Sequence, residues 1–320
     1  MTATSPPRTD AEINSLFTIA LLAALADGRA DERERAHLRD VATRIGGNRI
    51  DLALLDGAHA AAPTISTAVR PLATPEARRH AYEVAVAVVD ADGVHDAAEG
   101  GFLRDLASAL GLPADVARKV VAEADAIAAA PSLATAAASA AARSGHVMPD
   151  ADELNRRIVN ASITNAALEL LPETLASMAI LPLQVRLVYR IGQMHGYELD
   201  QGHIKEFIAT LGVGLAGQYL EQFGRKLLGG LLGSVLGGMG GAIGRQAASS
   251  GMAFATTWAI GQVAKRYYGG GRTLDAAKLK EAFAPLVEQG QALVQRYGGE
   301  IAERARTIDV RNLPALIKSI

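Results

Sequence analysis

Ala26-Asp27-Gly28-Arg29-Ala30-Asp31-Glu32-Arg33-Glu34 returns as Ala91-Asp92-Gly93-Val94-His95-Asp96-Ala97-Ala98-Glu99, so both copies read A-D-G-x-x-D-x-x-E. The register continues through Leu38-Arg39-Asp40 against Leu103-Arg104-Asp105, Ala42 against Ala107 and Gly46 against Gly111. A shared offset held over this distance marks an internal repeat. Each copy has a physical grammar. An alanine-rich apolar stretch runs into Gly28 or Gly93, where glycine takes the left-handed conformation that closes a helix. Asp31 and Asp96 then stand three residues before Glu34 and Glu99, the D-x-x-E form of a capping box, and apolar positions follow at intervals of three and four. Each copy is therefore predicted to be a helix, a tight turn and a second helix.

Outward from the repeat, helices are expected near 11–26, 31–46, 76–90, 96–110 and 113–129, with one or two short ones between 49 and 70. Apolar residues make up 49% of the 320 residues but aromatics only 4%, and alanine dominates where strand formers would otherwise cluster. That balance predicts an all-α fold with almost no sheet. The N-terminal part reads as a helical bundle with pseudo-twofold character, and the chain length suggests two domains.

The first dozen residues are polar and contain Pro6 and Pro7, with no basic region leading into an apolar core, so 1–10 is expected to be a tail rather than a secretory signal. The bundle is placed at 11–130. Residues 131–150 combine small side chains with prolines and are expected to form a linker. A second helical pattern starts at Asp152, with Pro172 and Pro182 on either side of the apolar stretch 174–181. A glycine-rich helical module is assigned to 151–272 and a polar helical tail to 273–320, its main helix running from about Leu274 to Tyr297.

Chemistry is constrained by what is present. Without cysteine the chain has neither disulfides nor thiolate metal ligands, which suits the cytoplasm. Residues 1–150 hold 14 basic against 20 acidic side chains, and 151–320 hold 18 against 14. The acidic half argues against nucleic acid and suits cations; the mildly basic half suits anionic lipid or an acidic partner. No zinc-binding histidine pair, nucleophile elbow or phosphate-binding P-loop occurs, so no catalytic residue is assigned.

The acidic turns are the first candidate site. Asp27, Asp31 and Glu34, with Asp92, Asp96 and Glu99, would offer oxygen ligands to a hard divalent cation. The same residues would equally serve as helix caps with no metal bound. Asp90-Ala91-Asp92-Gly93 does not complete a calcium-binding EF-hand, because Gly93 stands fourth and Glu99 tenth where that loop needs glycine sixth and a carboxylate twelfth. His95 has Ala30 as its counterpart and reads as a turn histidine.

On these residues the segment 11–130 resembles the TerB-like tellurite-resistance family. The resemblance implies an all-helical fold, a divalent-metal site on the six acidic residues, and a stress-response role at the membrane.

The second candidate is Leu227 to Gly244, where Gly229, Gly233, Gly237 and Gly241 recur every four residues. Residues 227–244 and 246–264 each lack charge and approach the roughly 20 residues of a bilayer-spanning helix, with Arg245 expected at a hairpin turn between them. Gln246, Ser249, Ser250, Thr256, Thr257 and Gln262 weigh against insertion, so a close-packed soluble hairpin and inner-membrane association through 207–268 both stand. Residues 172–272 are similar to the YcjF-type domain that accompanies bacterial GTPases. The resemblance lies in Ile180-Leu181-Pro182-Leu183-Gln184, Val188-Tyr189-Arg190-Ile191-Gly192, His195-Gly196-Tyr197-Glu198-Leu199 and the run 257–271. It implies a GTPase partner and the inner-membrane surface. The expected function is a non-enzymatic, metal-binding adaptor; the alternative is a soluble, self-assembling helical scaffold forming homo-oligomers.

Overall fold

The computed structural model describes residues 9–28, 36, 38, 39, 43, 63–90, 96–131, 149–171, 174–199, 201–211 and 241–320. Among them the chain is all-α, with no strand. They divide into two compact units, one containing residues 9–125 with 241–245 and the other 126–211 with 246–320.

In the first unit, α1 (Asp10–Ala24) starts at a capping box: Glu12 N–H donates to Thr9 Oγ1 at 3.2 Å and Thr9 N–H to Glu12 Oε2 at 2.9 Å. It buries Leu16, Phe17, Ile19 and Leu21 against α3 (Pro75–Val89), which is apolar on nearly every side from Val84 to Val89. A helix buried this completely forms the centre of its bundle. Short α2 (Ile65–Ala68) closes one side, and the Ser15 hydroxyl donates to the Ala68 carbonyl. α4 (Ala97–Ala109) packs on α2 and α3 through Leu103 and Leu106, and α5 (Ala114–Ala129) follows with Val120 and Ala124 buried.

The second unit contains α6 (Ala151–Leu170), α7 (Thr174–Met178), α8 (Ile180–Met194) and α9 (Gln201–Thr210), then α10 (Gly241–Gly269) from Gln246 onward, α11 (Ala276–Thr307) and α12 (Leu313–Ser319). α6 and α10 run antiparallel: Asn155 meets Lys265 at 2.9 Å, Ile158 faces Gly261, and Asn165 reaches Thr257 at 2.9 Å. α11 also runs antiparallel to α10, with Ala255 facing Gly290 and Gly251 facing Val294. A core of Ile163, Ala166, Phe254 and Ile301 joins all three helices, flanked by Trp258, Leu293, Val294 and Tyr297. The ring of Phe254 stacks on that of Tyr297 with centroids 5.5 Å apart.

Two expectations change here. Arg245 is no hairpin turn: it lies inside α10, which is continuous from Gly241 to Gly269. Arginine interrupts an apolar run but is a good helix former, and no proline or asparagine-glycine pair breaks the backbone there. The tail helix does not end at Tyr297. It continues to Thr307 through Gly298 and Gly299, because Ile301 supplies a further core contact.

Elsewhere the expected helices fall within two residues of those observed, except that 31–46 and 49–62 lie largely or wholly outside the described residues, as does most of the expected linker. Gly229, Gly233 and Gly237 lie outside them too, so the four-residue glycine pattern is described only at Gly241. Among the described residues, no helix is long and apolar enough to cross a membrane.

The glycines of α11 provide a paired test. A Cβ on Gly290 would stand 2.7 Å from Ala255 Cα and 3.0 Å from its carbonyl oxygen, whereas one on Gly298 would meet nothing within 4 Å. Gly290→Ala should lower stability by about 1–3 kcal/mol despite the gain in helix propensity, because two backbones must separate. Gly298→Ala should raise it by about 0.5–1 kcal/mol. Denaturant melts of the two variants check both signs.

Candidate functional site

The second copy of the repeat can be built from its ends. α3 opens on Thr74, whose Oγ1 accepts from Ala77 N–H at 3.1 Å, with Pro75 in the first helical position. It closes at Asp90, whose N–H donates to the Val86 carbonyl at 2.9 Å and whose side chain is buried. α4 then begins at Asp96. This residue is extended (φ −92°, ψ 174°), and its Oδ1 accepts from Ala98 N–H at 2.8 Å and Glu99 N–H at 2.9 Å. Glu99 Oε2 accepts from Asp96 N–H at 2.8 Å, which completes the reciprocal box. Two carboxylates thus sit on the first turn of α4, where the unpaired N–H groups and the helix dipole favour negative charge.

The far end of α4 is closed by Gly111. At φ +65° its N–H donates to the Ser108 carbonyl, while Leu112 N–H reaches back to that of Ala107, both at 3.0 Å. This paired arrangement is the Schellman motif, and it explains the glycine at the end of the repeated register. In the first copy, α1 ends at Ala24 and a turn carries the chain through Asp27 to Gly28, which has φ +67°. The left-handed glycine is as expected, but it stands past the helix rather than directly at its close.

Of the six acidic residues, Asp96 and Glu99 are brought together in the box and Asp27 lies on the turn after α1. Asp31, Glu34 and Asp92 lie outside the described residues, as does His95. Among the described residues, no three histidine or acidic side chains converge as a metal-ligand group. The second copy therefore caps its helix; a carboxylate with about four lone-pair sites can accept these N–H bonds and still coordinate.

Residues 3–124 match the model of a protein family of unknown function, DUF533. Neither a curated protein nor a solved structure matches the chain. The DUF533 match spans both copies of the acidic repeat and ends within α5, beside the Asp125 limit of the first unit.

Polar groups in the second unit escaped the reading of motifs. Asn165, Gln184 and Thr257 are each 0% exposed, and the Thr257 hydroxyl accepts from Asn165 Nδ2 at 2.9 Å and Gln184 Nε2 at 3.1 Å. Asn165 Nδ2 also donates to the Ile180 carbonyl at 3.2 Å, so one knot ties α6, α8 and α10. Arg186, on α8, is buried as well. The sequence carries a signal for it, a single cation inside the apolar run 180–189.

The cap can be separated from charge by substitution. Asp96→Ala should cost about 1 kcal/mol by removing the N-cap acceptor, whereas Asp96→Asn, which caps comparably, should stay within a few tenths of wild type. Thermal or urea melts provide the comparison.

Proposed function

We propose that the chain is a non-enzymatic adaptor, in which a TerB-like unit with divalent-cation-responsive acidic turns is joined to a helical unit that engages a protein partner or a membrane surface. The observation that carries this reading is the doubling of the acidic turn within the span that DUF533 matches. One capping box is ordinary helix chemistry. Two at a fixed offset, each preceded by a further aspartate, double the local negative charge on a unit that is already acidic, and such a surface concentrates cations. Hard cations such as calcium, magnesium or manganese suit an all-oxygen set, and a bound cation would hold α4 against the turn that precedes it. The partner of the second unit is a GTPase by the likeness of 172–272 to the YcjF-type domain, and its mildly basic balance suits an acidic or anionic surface.

The cation reading is tested on the full chain. Titration with calcium, magnesium and manganese should raise the thermal midpoint for at least one of them, by the equivalent of about 2.7 kcal/mol at a concentration near 100 times its Kd. Asp27→Asn with Asp92→Asn should abolish the rise; an unchanged rise would place the cation elsewhere, and none in the wild type would leave capping as the whole role.

The docking reading is tested by fractionating the native protein. A surface attachment carried by basic residues such as Lys265 and Arg266 should be released as salt rises, whereas insertion should resist both salt and alkaline carbonate. Recovery in the cytosolic fraction throughout, as a homo-oligomer, would favour the self-assembling scaffold instead.

A further inference from the structure

Arg186 is 2% exposed, yet its Nε and Nη1 have no hydrogen-bond partner, and its Nη2 reaches only the Lys318 carbonyl at 3.4 Å. That last distance lies beyond the usual range of about 2.7–3.2 Å for an N–H···O bond. Its guanidinium carbon lies 5.7 Å from the centroid of the Tyr189 ring. Burial first, then the like charge of Arg190, bring Arg186 down to about 10, with Tyr189 acting the other way. It remains a cation at neutral pH. Arg190 follows one helical turn later on the same face, half-buried, and its Nε is also buried without a partner. Neither arginine forms an ion pair with an acidic side chain among the described residues. A cation removed from water without a counter-charge is costly, and natural structures pair such groups or bind an anion there.

We propose that Arg186 and Arg190 form a binding site for a dianionic phosphate group, covered by α12. Two guanidinium groups one turn apart offer unpartnered N–H donors suited to phosphoryl oxygens, and together they carry two positive charges. A carboxylate balances one of those charges, whereas a phosphate monoester at neutral pH balances nearly both. The cover is part of the fold: α12 packs on α8, buries Leu313 and Ile317, and sets the Lys318 carbonyl 3.4 Å from Arg186 Nη2, one of the donors that an anion gripping the whole guanidinium would take. Phosphate and α12 therefore compete for one guanidinium. The phosphate is either free or the headgroup of an anionic lipid.

The test uses the full chain, with inorganic phosphate titrated against chloride at matched ionic strength. Thermal melting and amide hydrogen exchange over residues 313–319 are both followed. The midpoint should rise, exchange in α12 should quicken, and Arg186→Met should abolish both responses. Flotation with vesicles of phosphatidylcholine, with and without phosphatidic acid, separates the two sources. Arg186-dependent binding to phosphatidic acid vesicles without a response to inorganic phosphate assigns the site to the lipid headgroup. A rise in midpoint that persists in Arg186→Met is general exclusion of phosphate from the surface and overturns the proposal, as does the absence of any response to either probe. Should Arg186→Met not fold, Arg190→Gln, on the less buried member of the pair, decides by the same comparison.

Discussion

The second unit depends on how closely the backbone of α11 approaches α10. At Gly290 the two main chains lie so near that no side chain fits between them, and Gly261 does the same for Ile158 on the opposite neighbour, where a Cβ would stand 2.8 Å from the isoleucine methyl. α10 is thus held between α6 and α11 by missing side chains as much as by those present. The large groups are displaced to the flanks of these contacts, where Phe254, Trp258 and Tyr297 fill the spaces that close approach leaves. Packing at interior density demands this alternation of small and large residues.

Close approach sets distance but leaves register loose, since alanines and glycines slide past one another at little cost. The hydroxyl of Thr257 removes that freedom. It accepts from Asn165 on α6 and Gln184 on α8, so a shift of α10 by one residue would strand three polar groups in a dry core. The amide of Asn165 and the carbonyl of Ile180, at the start of α8, extend the same constraint to the junction between α7 and α8. Buried polar groups of this kind select one arrangement among several of similar apolar content.

Much of the helical order was legible because it is local. The box of Asp96 with Glu99 acts on backbone groups within a few residues, so its effect follows from spacing alone, and the caps at Thr74-Pro75 and Gly111, seen only in the structure, act over the same short range. Asp275, whose side chain accepts from Lys278 N–H at 2.9 Å, marks the start of α11 in the same way. The errors came where tertiary contact decides. Arg245 separates two uncharged stretches yet sits inside a continuous helix, and the helix that the local pattern ends near Tyr297 runs on through Gly298-Gly299, a pair that is unfavourable in a helix by itself. Ile301, buried against Ala166 and Phe254, outweighs that local penalty. For the candidate site, the pairing of Asp96 with Glu99 was legible, but whether the two copies share a cation is a question of distance between turns, which spacing along the chain does not encode.

The glycines make the same distinction sharper. A four-residue spacing from Gly229 to Gly241 predicts a flat helix face, because periodicity is visible in sequence. Gly192, where a Cβ would run into the Leu199 side chain, and Gly270, where one would stand 2.9 Å from the Arg266 carbonyl oxygen, are tight against near neighbours in sequence, whereas the close approaches between helices distant in the chain are at Gly261 and Gly290, which belong to no repeat and sit on different helices. What unites them is their partners, Ile158 and Ala255, each far away in the chain. Gly251 shows the graded case: a Cβ there would stand 3.4 Å from Val294, an ordinary contact that an alanine would satisfy. Glycine is therefore required in this unit where backbone meets backbone or a branched side chain, and merely present elsewhere. The number of glycines in a segment says little about which of them hold the fold.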